Sequence, residues 1–308
     1  MTTIIAAASL ATLAAFDIDS IVVNATGVAT LDRANLTLAI QQCVSSGKTL
    51  IMMRDAATIF RLDQPLVIQP TAPETSVKLN VKGVSPGLMP LVAYLGPDNT
   101  NCFVTRGLKF STWTDVSVQT GAKNSNGFAV NTYGAFQSSS YVTFDHCRVV
   151  IQAAGAGGWS IGPDGSGAAD ISGISWRSCS VSGGNLGRYG WSMTGGNTLN
   201  LSWYDCFADH LTDYGWQFWP LGGVLSTSGG GSASSLYNCG AGWGLGFVKM
   251  QGGFELGVYS GRSEQLTGPV FWAGSGGGVG FLNVFGHKTG ACPTFSRADG
   301  PTPINIYP

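Results

Sequence analysis

The sequence predicts an all-β solenoid, a stack of coils of roughly 25–33 residues each. Three observations predict it. A first phrase recurs as WTDVSV at Trp113, FDHCRV at Phe144, WRSCSV at Trp176, WYDCFA at Trp203 and LYNCGA at Leu236. A second phrase follows each copy: GFAV at Gly127, GWSI at Gly158, GWSM at Gly190, GWQF at Gly215, and a degenerate WGLGF at Trp243. Between them the apolar residues come in short alternating bursts broken by Gly, Ser and Asn, with no sustained helical period.

The spacing of the phrases fixes the coil. Cys147, Cys179, Cys206 and Cys239 are 32, 27 and 33 residues apart, and Phe128, Trp159 and Trp191 are 31 and 32 apart. Side chains one period apart stack in successive coils, which share a core that no coil could bury alone. The four cysteines therefore predict one inward ladder, and Phe128, Trp159, Trp191 and Trp216 another. A buried free cysteine is a small hydrophobe, so the thiols need no disulfide. No CxxC pair occurs among the seven cysteines, so no zinc ribbon or redox dithiol is expected, and no metal or cofactor site is read.

Composition narrows the partners. Lys and Arg number 16 against 17 Asp and Glu, and charged residues make up 11% of the chain. That leaves no basic footprint for nucleic acid. The surface must be built from Ser, Thr, Asn, Gln and Gly, which suits glycan contact or burial against other subunits. The 45 glycines, with 11% aromatic residues beside them, signal turns and not disorder.

The elements follow in order. Residues 1–26 open with MTTIIAAASLATLAAF, which lacks the Lys or Arg of a secretory leader and is too short to span a bilayer. This segment is expected to form a helix packed on the body or on a neighbouring subunit, with no membrane insertion. Residues 27–70 read as a capping module. Thr30 or Asp32 starts a helix with Leu36, Ala39, Ile40 and Cys43 on its apolar face, and Gly47 ends it. Strands Thr49–Met53 and Leu66–Ile68 lead into the coils of 71–290. Prolines 293, 301, 303 and 308 argue against a further regular coil in 291–308.

The repeated phrase resembles that of the pectate-lyase-like right-handed parallel β-helices. In that family, apolar–x–Asn–small–x–apolar spans two strands around a tight turn. Here the matching turn positions are Asp115, His146, Ser178, Asp205 and Asn238, a degenerate asparagine ladder. The module from Gly27 to Pro70 is similar to the cap of bacteriophage tailspikes. The resemblance covers roughly residues 27–290 and implies a right-handed parallel β-helix with an N-terminal capping helix. With the low charge and the apolar start, it implies a tailspike-like or head-spike virion appendage. Such an appendage would be a homotrimer that contacts other virion proteins and recognises, and degrades if catalytic, host cell-surface polysaccharide. A stand-alone secreted polysaccharide lyase or glycoside hydrolase, and a purely structural virion protein, remain open as alternatives.

A fold of this kind carries its chemistry in side chains grafted on its outer faces and loops. The outward residues of the Gly-Trp phrase are Ala129, Ser160, Ser192 and Gln217, none of them acidic. The polygalacturonase motifs and the calcium cluster of pectate lyases are absent. The best acid cluster is FADHLTDYGW, where Asp209, His210 and Asp213 are expected in one loop before a Gly-Trp strand. These three are the candidate catalytic residues, because glycoside hydrolysis commonly uses two carboxylates. The stacked loop one coil earlier carries Arg188 and Tyr189, expected to converge with this cluster on a sugar, and Arg188, Tyr189, Tyr214, Trp219 and Asp164 are the candidate sugar contacts. Trp219, Tyr189, Tyr214, Trp243 and Trp272 are the candidates for an exposed stacking surface. Glu255, Arg262 and Glu264 form a second charged group, expected as an ion pair, and His287 reads as a turn residue. The loop 221–235 reads as a flexible insertion at one side of the solenoid.

Overall fold

The computed structural model describes residues 3–5, 19–72, 75–87, 90–134, 137–162, 170–194, 198–219, 233–251, 253–274 and 280–308. Three parallel sheets run along one axis, one of fourteen strands and two of nine, and each coil contributes to all three in turn. The first sheet holds the first half of the repeated phrase, the second sheet the strand after the cysteine, and the third sheet the Gly-Trp phrase. This is the parallel β-helix that the repeats predict.

The predicted registers hold residue by residue. Phe128 pairs with Trp159, Trp159 with Trp191 and Trp191 with Trp216 across the third sheet. Phe144, Trp176 and Trp203 pair in the first. The inner column stacks almost coplanar, with Trp159–Trp191 centroids 5.1 Å apart and Trp191–Trp216 4.6 Å apart. Each interior ring removes a large apolar area from water, so these columns dominate the core energy. Cys147, Cys179, Cys206 and Cys239 are free and buried, as the ladder requires. Their thiols donate to backbone carbonyls, Cys147 Sγ to Trp113 O at 3.4 Å and Cys179 Sγ to Phe144 O at 3.4 Å.

The five turn positions all adopt the left-handed conformation, with φ of 56° at Asp115, 51° at His146, 48° at Ser178, 54° at Asp205 and 50° at Asn238. That conformation costs an L residue roughly 1–2 kcal/mol, least for Asn and Asp. Coil stacking overrides the cost at His146 and Ser178. The rungs are joined where the chemistry permits, as Asn238 Nδ2 donates to Asp205 Oδ1 at 2.7 Å.

The cap is a helix over Ala29–Ser46 that buries Leu36, Ala39, Ile40 and Cys43 and ends at Gly47 in the left-handed conformation. Its N-cap is Val28, so neither Thr30 nor Asp32 plays that part. Asp32 lies one turn in and fully buried, where it ties the helix to the body. Its Oδ1 accepts from Thr26 N and Thr26 Oγ1, both at 2.7 Å, and its Oδ2 accepts from Arg61 N at 2.8 Å. Strands Thr49–Met53 and Leu66–Ile68 form as predicted, with Phe60–Leu62 between them. Thr3–Ile5, in the segment expected to be helical, is a strand paired with Ser20–Asn24. Residues 6–18 lie outside the described residues.

The solenoid also runs past residue 290. Thr294–Ala298 joins the third sheet and Ile304–Tyr307 the first. Pro293 precedes one strand, and Pro301 and Pro303 precede the other, so no proline interrupts a ladder. Near this end His287 departs from the turn reading. Gly286 makes the turn with φ 61°, and His287 takes the inward position below the cysteine ladder. A Cβ at Gly261, one coil back, would lie 2.4 Å from His287 Nδ1, so only glycine leaves room for the ring. The imidazole packs against Phe247 and Phe271 at centroid distances of 5.0 and 4.9 Å, and its Nε2 shares a 2.9 Å hydrogen bond with Ser263 Oγ. Burial pushes its pKa from the ordinary 6.5 down to about 4.

Candidate functional site

The stretch 209–213 is not one loop. Phe207–Leu211 is a strand of the second sheet and Tyr214–Trp219 a strand of the third, so the corner between sheets separates Asp209 from Asp213. Asp209 points outward from the second sheet, beside His210, with Oδ1 and Nδ1 3.5 Å apart. His210 sits at φ 51°, and its ring stacks on exposed Trp243 at 5.3 Å.

Asp213 opens onto the outer face of the third sheet, and different partners gather there. Arg188 Nε and Lys249 Nζ lie 3.9 and 3.8 Å from Asp213 Oδ2, whose side chain is 17% exposed. The sequence placed Arg188 with Asp213 from coil stacking alone, and the structure brings them together. Lys249, Trp272 and Arg297 are successive rungs of this outer face. Lys249 Nζ stands 5.2 Å above the Trp272 ring. Trp272 Nε1 donates to Asp299 Oδ2 at 2.8 Å, and Arg297 Nε donates to Asp299 Oδ1 at 2.9 Å. These hydrogen bonds hold the Asp299 carboxyl below the usual carboxylate range, Arg297 first and Trp272 second. Asp299 is thus ionised near neutrality and has no proton to donate.

Tyr214 forms a wall of this cleft. It is 4% exposed, so it offers no free stacking face, and its ring lies across Gly246, where a Cβ would meet Cε1 at 2.1 Å. Burial, then the Asp213 charge, pushes the phenol up to about 12. Tyr189 turns the other way, across Gly157. Asp213, Tyr214, Lys249, Trp272, Arg297 and Asp299 line an open cleft of about 340 Å³.

The sequence reading missed Lys249, Arg297 and Asp299. The signal was the outward position of the Gly-Trp phrase, followed past Gln217 of GWQF by one coil to Lys249 and by three to Arg297, with Asp299 two residues beyond. Arg262 and Glu264 form the expected ion pair, with Arg262 Nε donating to Glu264 Oε1 at 2.9 Å. Asp164 and residues 221–232 lie outside the described residues, as does the side chain of Trp219, whose backbone pairs with Thr194. Among the described residues, no helix is long and apolar enough to cross a membrane, and no cluster of three or more His, Cys, Asp or Glu side chains could hold a metal.

The chain is similar to ORF18 of Geobacillus virus E2, with a TM-score of 0.50 at 13% identity, over 92% of this chain and 61% of that one. It is also similar to the tailspike protein of Acinetobacter phage vB_ApiP_P1, with a TM-score of 0.48 at 12% identity, over 87% of this chain and 56% of that one. A third is the catalytic domain of a GH87 α-1,3-glucanase, with a TM-score of 0.38 at 10% identity, over 93% of this chain and 67% of that one. The chain thus spans 61% and 56% of the two viral chains. No protein-family model and no curated protein matches the sequence. The likeness to ORF18 is one of fold alone, the parallel β-helix that the three sheets build.

Proposed function

We propose that this chain is part of a bacteriophage virion appendage, a homotrimer that recognises host cell-surface polysaccharide through the outer face of its third sheet. The carrying observation is the cleft itself. An indole is pinned at its nitrogen by Asp299, carries Lys249 over its ring, and stands within one cleft with Asp213 and Arg297. A sugar needs a fixed apolar face and convergent charged hydrogen-bonding groups, and this cleft supplies both. Virion membership is supported by the fold shared with a viral protein and by the low surface charge, which suits packing against copies and other virion proteins.

Asp213 is the acid of this reading. Asp209 and His210 stand on the far side of the corner as a second acid–imidazole pair. The secreted-hydrolase alternative is favoured by one feature, the two carboxylates Asp213 and Asp299 in one cleft. Both readings meet one experiment. Purified protein is applied to arrayed bacterial O-antigen and capsular polysaccharides, with light scattering for mass and a reducing-end and unsaturated-sugar assay for cleavage. Binding that weakens about tenfold in Trp272→Ala supports recognition at this cleft. Cleavage abolished by Asp213→Asn supports the enzyme. A monomer at micromolar concentration removes the trimer, and binding indifferent to Trp272→Ala removes the site.

A further inference from the structure

A second feature lies on the outer face of the first sheet, away from the cleft. Phe110 and Tyr141 are register neighbours in adjacent coils. Both sit in the left-handed region, with φ of 50° and 55°. The same position one and two coils on is Gly173, φ 63°, and Asn200, φ 53°, residue types that accept this backbone readily. A bulky aromatic does not. Such a cost is ordinarily offset by burial, yet Phe110 is 61% exposed and Tyr141 63% exposed. The rings stack on each other at 5.2 Å and 6° and stand out from the sheet as a two-ring fin. The fold imposes the left-handed backbone on this position in four successive coils but does not require a large ring there, and two successive rungs nonetheless keep one, strained and in water. Strain kept without an internal return points to an external contact.

The surroundings indicate what kind. Thr112 and Thr143 lie two residues along the strands from the fin, Ser175 is the register neighbour of Thr143, and Thr143 Oγ1 and Ser175 Oγ are hydrogen-bonded at 3.1 Å. Where these strands end, a cleft of about 520 Å³ is lined by Lys82, Asp115, His146, Arg148 and Ser178 among others. His146 Nδ1 lies 2.9 Å from Asp145 Oδ1, which orients the ring. An aromatic fin, a floor of hydroxyls and a cleft of mixed charge suit a hydroxyl-rich chain with apolar ring faces, and suit an apolar protein surface poorly.

We propose that Phe110 and Tyr141 are the stacking platform of a second glycan-binding site, which crosses the first sheet over Thr112, Thr143 and Ser175 to the cleft at His146 and Arg148. This rests on the reading of the chain as a polysaccharide binder but uses a different face. The same polysaccharide array tests it, with wild type, the double variant Phe110→Gly/Tyr141→Gly, and Trp272→Ala, each also measured for melting temperature and for mass in solution. Glycine relieves the left-handed strain, so the double variant is expected to melt no lower than wild type while its affinity falls about tenfold. That pairing of undiminished stability with lost binding is the expected result. Weakened binding in Trp272→Ala alone overturns this inference and leaves the third-sheet reading standing, and loss in the double variant alone does the reverse. Loss of self-association in the double variant, with binding intact, makes the fin a contact between copies and overturns it. Binding to no polysaccharide overturns both.

Discussion

Acid should loosen the C-terminal end of this solenoid through His287. Its pKa is near 6.5 in the unfolded chain and about 4 in the fold, because burial among Phe247, Phe271 and Phe295 disfavours the cation. Between those values the unfolded chain binds more protons than the folded one. Stability is therefore complete above pH 6.5, falls as pH drops from 6.5 to 4, and levels off below. A shift of about 2.5 units corresponds to about 3 kcal/mol. Spread over the unfolding entropy of a 308-residue chain, that is a drop of roughly 5 °C in melting temperature. If only the last coils open, the loss appears there first, because a solenoid couples nearest neighbours. The assay is thermal unfolding by circular dichroism at pH 7 and pH 4 for wild type and His287→Phe. Phenylalanine keeps the aromatic packing, leaves Ser263 unpaired at both pH values, and removes the titration. The variant should lose roughly 5 °C less on acidification. Equal acid losses in the two proteins would refute the reasoning.

Further expectations concern the cap, the ladders and the thiols. Asp32→Ala removes the acceptor shared by Thr26 N, Thr26 Oγ1 and, on the neighbouring strand, Arg61 N, and should cost about 3–5 kcal/mol, read from the denaturant midpoint; a cost under about 1 kcal/mol would mean water replaces the carboxylate freely. Trp191 is stacked on both sides, so coupled indole bands of opposite sign should appear in the far-ultraviolet circular dichroism and collapse in Trp191→Leu, whereas an unchanged spectrum would contradict the column. Burial pushes the Cys43 thiol up to about 11 and Cys102 well above its ordinary range, while Cys292 is only half-buried. A thiol reagent should thus titrate a single cysteine, Cys292, in the native protein and all seven after unfolding; several fast thiols in the native state would argue against the interior ladder.

The coils were legible because their core residues recur. Trp159, Trp191 and Trp216 repeat in identity as well as position, and the turn ladder could be placed at Asp115 through Asn238 although one residue in five is asparagine. Coil stacking also foretold the meeting of Arg188 and Asp213. What escaped was whatever does not repeat. Phe60–Leu62 and the strands after residue 290 carry no copy of either phrase, and His287 was misread because a buried imidazole and a turn histidine look alike in FGHKTG. The cleft was half seen for the same reason. Lys249, Trp272 and Arg297 are stacked by register alone, and their side chains share no motif. Phe110 and Tyr141 escaped because left-handed strain is a property of backbone angles, which KFST and SYVT do not announce.

The uneven spacing of the coils has a consequence of its own. The step from the large apolar residue to the cysteine is constant, as in Trp176 to Cys179 and Leu236 to Cys239, yet the interval between cysteines changes from 27 to 33 residues. Rungs stay paired on all three sheets, with one register shift in the second between Ser182 and Gly187, and the sequence separation from the third sheet to the first varies from coil to coil, as from Trp219 to Ser234. That seam is a tolerant splice point. Foreign loops grafted there should leave the hydrophobic columns undisturbed, and lineages could diversify along it without renegotiating the core.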